Sequence, residues 1–291
     1  MPYPIENKLV IAISSSALFD LTQSNKVFEE EGAQAYKLFQ EKNLDMVLEK
    51  GVAFPFIKRL LNINKYFPEI EPVEVVLLSR NSAGTGKRVF RSIEHYGLNI
   101  TRAAFMEGKS PYKYIPAFNA SLFLSSNEKD VKQAIEAGYP AGVVLPSDVV
   151  NDTGCDELRI AFDFDGVIAD DEAETVYREG DLSSFQEHEM VHAERPHNPG
   201  PLADLFKQLS FLQKLEDTQI ETDAHYQRIL RTSIVTARCA PAHERVITTL
   251  EQWGVSANEN FFLGGMDKSR ILSILKPHIF FDDQLGHLKA N

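Results

Sequence analysis

Cysteine is nearly absent: Cys155 and Cys239 are the only two in 291 residues. Two thiols allow neither a disulfide framework nor a multi-cysteine zinc site, and such usage fits a reducing compartment. A lone thiol such as Cys239 is more often packed than nucleophilic. Long apolar runs are missing too. No stretch approaches the roughly eighteen consecutive apolar residues of a membrane helix, and MPYPIENK ahead of LVIAISSSALF lacks the basic start and cleavage site of a signal peptide. Positive charge is scarce, with 30 Lys and Arg against 42 Asp and Glu, a net −12. That balance disfavours a nucleic-acid polymer or a membrane as partner, while leaving room for a local basic pocket around one phosphate. A soluble cytoplasmic protein is expected, and homo-oligomerisation is left open.

Apolar residues make up 43% of the chain, enough to fill the cores of two ordinary domains. Eight short apolar runs have strand character: LVIAI (9–13), VEVVLL (73–78), SLFL (121–124), AGVVL (141–145), LRIAF (158–162), SIVT (233–236), NFFL (260–263) and HIFF (278–281). Between them KRVFRSIEHYG (87–97), VKQAIEAG (131–138) and AHERVITTLEQWG (242–254) carry helical apolar spacing and stop at glycine. Strands alternating with helices predict an α/β fold with a largely parallel sheet.

The two halves share a register. An offset of 157 matches Arg88 to Arg245, Val89 to Val246, Glu94 to Glu251, Gly97 to Gly254, Phe105 to Phe262, Gly108 to Gly265 and Phe123 to Phe280 without a gap. A second offset lays IAISSS (11–16) on IAFDFD (160–165). We expect two related α/β units, 1–150 and 151–291, with the boundary near 146–157. Their acidic pairs differ systematically. Asp163 and Asp165 face Ser14 and Ser16, and Asp282 and Asp283 face Ser125 and Ser126. This places the chemistry in the C-terminal unit and makes the N-terminal one a degenerate, non-catalytic scaffold.

Each polar group of the C-terminal unit follows an apolar run, where ligands bind in parallel α/β sheets. In order they are FDFDGV (162–167), VTAR (235–238), Lys268 in GMDKSR, and FFDDQ (280–284). This order resembles the haloacid dehalogenase superfamily of phosphotransferases. The resemblance implies a Rossmann-like parallel sheet with a helical cap inserted at about 170–230. Asp163 would attack phosphorus to form an aspartyl-phosphate, and Asp165 would protonate the leaving alkoxide and then activate water. Thr236 and Lys268 would hold the phosphoryl oxygens. The expected Mg²⁺ ligands are Asp163, Asp165, Asp282 and Asp283, because an anionic nucleophile facing an anionic phosphate needs a hard cation between them. Gly166 suits the tight turn beside the nucleophile. Asp170, Asp171 and Glu172 read as a solvated, acidic first helical turn.

Longer strings narrow the resemblance. SSSALFD, AFPFIK, GPLADLFKQLSFLQKL, VTARCAPAHERVITTLEQWG, FFLGGMDK and PHIFFDDQ look like the cytosolic 5'-nucleotidase type I family over nearly the whole chain. That implies Mg²⁺-dependent hydrolysis of nucleoside 5'-monophosphates. One departure is FDFDGV, where mammalian members carry a glycine-aspartate-alanine run. Chemistry therefore carries over more safely than base or sugar preference. Candidates for nucleoside contact are Phe185, His188 and His192 in the cap, with Ala237 and Arg238 behind Thr236.

Three other readings remain to be weighed: a phosphatase for another small phosphate monoester, a non-catalytic nucleotide binder, and a zinc peptidase. HEMVH (188–192) matches the zinc-peptidase signature, with His197 as a third ligand, but the spacing to His197 is one short of the extended form and no glycine intervenes. NSAGTGKR (81–88) has the rhythm of a phosphate-binding loop, but Asn81 and Arg88 replace its first glycine and final hydroxyl, so it reads as a helix start. Leu202, Leu205, Phe206, Leu209, Leu212 and Leu215 trace one packed helical face.

Overall fold

Runs such as LVIAI and VEVVLL lack polar alternation, as strands covered on both faces require. They become the central parallel strands of two sheets. The computed structural model describes residues 3–145 and 155–284. It divides into two units, Met1–Thr153 and Gly154–Asn291. Most of the expected boundary segment lies outside the described residues.

The first unit contains β1 (Leu9–Ile13), α1 (Ser15–Leu18), α2 (Thr22–Lys42), α3 (Phe54–Tyr66), β2 (Val73–Ser79), α4 (Gly86–His95), β3 (Arg102–Phe105), β4 (Leu122–Ser125), α5 (Glu128–Glu136) and β5 (Ala141–Val143). Its sheet runs β3-β2-β1-β4-β5, with all pairings parallel. NSAGTGKR is a helix start: Gly86 opens α4, and a Cβ there would lie 2.4 Å from the Phe105 ring.

The second unit contains β6 (Leu158–Phe162), a π-helical turn (Phe164–Ile168), α6 (Glu172–Glu179), α7 (Leu182–Val191), α8 (Ala203–Thr222), β7 (Leu230–Thr236), α9 (His243–Trp253), β8 (Glu259–Phe262), α10 (Ser269–Leu275) and β9 (Ile279–Phe281). Its sheet runs β8-β7-β6-β9, again parallel throughout. The order repeats that of β3-β2-β1-β4. The offset of 157 carries β2 onto β7 and β3 onto β8 residue for residue. Pairing registers repeat too: Ile11 opposes Leu122 as Ile160 opposes Ile279, and Val76 opposes Arg102 as Ser233 opposes Glu259.

The copies part in the loop after their first strand. In the first unit the Gly51 and Ala53 N–H groups donate to the carbonyls of Leu18 and Ala17. In the second, Gly200 and Leu202 donate to Ile168 and Val167. Counting from the matched strands, the second loop is one residue longer, and the extra residue falls at Gly166. α1 is accordingly a helical turn capped by Ser14 Oγ, which accepts from the Ala17 N–H at 3.2 Å. In the π-turn, Asp165 is extended (φ −71°, ψ 134°) and Gly166 is left-handed at φ +70°.

Of the segment expected as a cap, α6 and α7 form the inserted helix pair. α8 does not. Its Leu205, Phe206, Leu209 and Leu212 are buried, and Phe206 meets Phe162 of β6 at 5.4 Å between ring centres, so it is a sheet-covering helix. An antiparallel bridge between Ala169 and Pro199 closes the stem of the insertion. Among the described residues no helix is long and apolar enough to cross a membrane.

Candidate active site

Parallel strands end on one edge of a sheet, so residues just beyond β6, β7 and β9 converge. Asp163 follows β6 and is 5% exposed. Its Oδ1 accepts the Phe164 N–H at 2.7 Å, and its Oδ2 accepts from Lys268 Nζ at 2.5 Å. Lys268, immediately before α10 and buried, also donates to Asp282 Oδ2 at 2.8 Å. One oxygen each from Asp163, Asp282 and Asp283 lie within 4.8 Å of one another. Gly166 lets this happen: a Cβ there would lie 2.7 Å from Asp283 Oδ2.

The electrostatics are those of crowded anions. Burial raises the Asp163 pKa to about 7; Lys268 opposes the shift and Asp282 adds to it. Burial, then Glu174 and Asp282, raise that of Asp283 as well. Three converging carboxylates of this kind offer the hard oxygen donors that Mg²⁺ prefers. The donor set therefore fits the expected cation.

Asp165 stands apart from the other expected ligands. Its carboxylate takes a two-pronged bond from Arg238, with Nε at 2.8 Å and Nη2 at 2.7 Å. Arg238, expected to touch substrate, is 3% exposed and also donates to Glu189 of α7 and to the Ala242 carbonyl. Burial works against its charge, yet Asp165 and Glu189 outweigh that and raise its pKa. Thr236 closes β7 with its Oγ1 accepting the Arg238 N–H at 3.2 Å. Ala237 is exposed, and its carbonyl accepts the Gly265 N–H.

Glu189, the glutamate of HEMVH, lies in cap helix α7. Its side chain is fully buried and binds Arg238, Arg245 Nη1 at 2.8 Å and His197 Nε2 at 3.2 Å. So engaged, it cannot serve as the general base of a zinc peptidase. Nor do the two histidines form a ligand pair: His188 Nε2 meets Glu172 at 3.3 Å, while His192 Nδ1 lies 2.8 Å from the His188 carbonyl. Phe185 places its ring 5.4 Å from the Arg238 guanidinium.

Glu172 departs from its expected role as solvated helix charge, since it pairs with Arg245 at 3.1 Å as well as with His188. Asp170 is also partly buried and accepts from Asn198 Nδ2 at 2.8 Å. Only Asp171 stays exposed.

A family model described as 5'-nucleotidase matches residues 1–291. Human cytosolic 5'-nucleotidase 1B is 36% identical over 302 residues, an alignment covering 99% of this chain and 48% of that protein. The chain thus spans about half the length of this curated relative. No solved structure gives a significant match.

Proposed function

Because the chain belongs to the 5'-nucleotidase family, we propose that it hydrolyses nucleoside 5'-monophosphates to nucleoside and phosphate, with Mg²⁺ as cofactor and Asp163 as nucleophile. The observation that carries this reading is the convergence of Asp163, Asp282, Asp283 and Lys268 at the strand ends. When bound by Asp163, Asp282 and Asp283, Mg²⁺ supplies charge to offset repulsion between carboxylate and phosphate.

The chain's own groups do the rest. An Asp163 oxygen bonds to phosphorus as the bond to the nucleoside 5'-oxygen breaks, and Asp165, having taken up a proton from solvent once the Arg238 fork releases one carboxylate oxygen, gives that proton to the leaving oxygen. Water then attacks phosphorus, gives its proton to Asp165, and the acyl-phosphate bond breaks to return Asp163. Lys268 and Thr236 face the phosphoryl oxygens, where negative charge spreads in the transition state.

A substrate panel tests the reading. With Mg²⁺, nucleoside monophosphates are turned over in preference to sugar phosphates. Sugar-phosphate preference, peptide cleavage restored by Zn²⁺, or nucleotide binding without phosphate release would each replace it. Lys268→Ala will lower kcat/KM by about 10²- to 10³-fold, with part of the loss in KM, because a charged donor to the phosphoryl group is gone.

The N-terminal unit is non-catalytic in this reading. Ser14 Oγ and Ser126 Oγ each bond to Ser16 Oγ, at 3.2 and 2.6 Å, so neutral hydroxyls stand where the other unit has carboxylates. Ser125→Ala with Ser126→Ala will leave turnover within about tenfold, whereas Asp282→Ala with Asp283→Ala will abolish it, because a dehydrated Mg²⁺ needs the anionic ligands. Equal losses would give the first unit a direct part in the reaction.

A further inference from the structure

The stem of the cap contains two buried polar atoms with nothing to bond. His197 is 2% exposed and its Nδ1 has no hydrogen-bond partner; Asp170 Oδ1 has none either. The two atoms face each other at 3.9 Å, past hydrogen-bond reach. Buried atoms left this way cost folding free energy unless something joins them. One ligand atom each from Asp170, Glu172 and His197 lie within 4.8 Å of one another.

We propose that Asp170, Glu172 and His197 form a second cation site, separate from the Asp163 cluster, that takes a first-row transition cation such as Zn²⁺ or Mn²⁺. Four observations support it. The first is the facing pair of orphaned atoms, separated by a span that two ligands of one cation adopt when each lies roughly 2.0–2.2 Å from it.

The second is the histidine's proton. His197 Nε2 lies 3.2 Å from Glu189 Oε2, an acceptor, and 3.1 Å from Arg238 Nη2. In the tautomer that carries its proton on Nε2, directed at Glu189, the Nδ1 lone pair faces Asp170. A carboxylate behind a histidine whose other nitrogen is open is the arrangement that orients metal-bound imidazoles.

The third is charge. Asp165, Asp170, Glu172 and Glu189 share this network with Arg238 and Arg245, four carboxylates against two guanidiniums. One divalent cation balances the remainder. Arg245 and His188 already touch Glu172, so that residue shares its oxygens and Asp170 and His197 are the principal ligands. The fourth is ligand chemistry: an imidazole nitrogen among the donors selects against Mg²⁺, which prefers oxygen, and for later divalent ions.

Position gives the site its role. Asp170 and His197 flank the Ala169–Pro199 bridge, one on each strand of the stem, and the Asp170 N–H donates to the Asn198 carbonyl at 3.1 Å. A cation between them ties the outgoing and returning strands together. The cap helices α6 and α7 lie between those strands, so bound metal limits their movement.

The test is uptake of Co²⁺, which has a visible spectrum, by the full chain in excess Mg²⁺ after chelator treatment. We expect one Mg²⁺-resistant Co²⁺ per chain, a nitrogen-ligand band, and a higher melting temperature on binding. His197→Ala and Asp170→Asn should each lose the band and weaken uptake by at least about tenfold, with Asp283→Asn retaining both. Asp170 is partly exposed, so its asparagine variant decides the matter if the buried histidine change fails to fold. No uptake beyond what Mg²⁺ displaces, uptake unchanged in Asp170→Asn, or uptake lost only in Asp283→Asn would overturn the site. Because the readout is metal content and spectrum, the result stands apart from whether nucleotides are hydrolysed.

Discussion

Asp163→Asn will cut kcat by at least about a thousandfold while the chain still folds. The amide keeps the volume and one acceptor for the Phe164 N–H, and Lys268 keeps its bond to Asp282, but the neutral side chain cannot form the acyl-phosphate. Stability should move the other way. Burial, with Asp282, outweighs Lys268 and lifts the folded-state pKa from 3.8 to about 7. Between those values the folded chain holds a proton that the unfolded chain has lost, so stability falls as pH rises through that window and the cost is complete above it. Asparagine removes the cost. At about pH 7.5 without divalent cation the variant should melt no lower than the parent. A variant keeping a tenth of parental turnover would rule Asp163 out as nucleophile.

Glu189→Gln will have the largest effect on stability. Its carboxylate is fully buried between Arg238, Arg245 and His197, and removing one member of such a set strands the others, at about 3–5 kcal/mol. Thermal melting should fall by on the order of 10 °C. Burial alone would raise the Glu189 pKa, but the His197 hydrogen bond and the Arg238 charge take it from 4.5 down to about 2. Its stabilisation is therefore present above pH 4.5 and lost as pH falls toward 2. Parent and variant melting curves should converge across that window. Parallel curves would place the stabilisation elsewhere. Turnover should drop as well, through Arg238 and Asp165, with KM changing less.

Strands were the most legible part of the fold. LVIAI and LRIAF match β1 and β6 at both ends because central parallel strands are apolar on both faces. β7 begins at Leu230, three residues before SIVT, since Arg231 and Thr232 interrupt the apolar run. α2 was invisible. Its 21 residues are mostly polar and largely exposed, with Gly32 at φ +84° in the middle, so no continuous apolar face marked it. In the site, Asp163, Lys268, Asp282 and Asp283 were readable because each stands directly after a strand or before a helix on the ligand edge. The buried ionic network of Arg238, Glu189 and His197 was not. Their partners lie tens of positions away in sequence, and only folding shows that HEMVH turns its glutamate inward to two arginines.

The extra residue at Gly166 sets a limit on re-engineering. Exchanging Ser14, Ser16, Ser125 and Ser126 for aspartates would give the first unit the charges of the second, yet its α1 turn would keep the shorter backbone path and lack the left-handed step beside Asp283. Recovering a reactive site there calls for lengthening the main chain before changing any side chain. Divergence of the two copies is thus recorded in an insertion, and point substitutions alone do not retrace it.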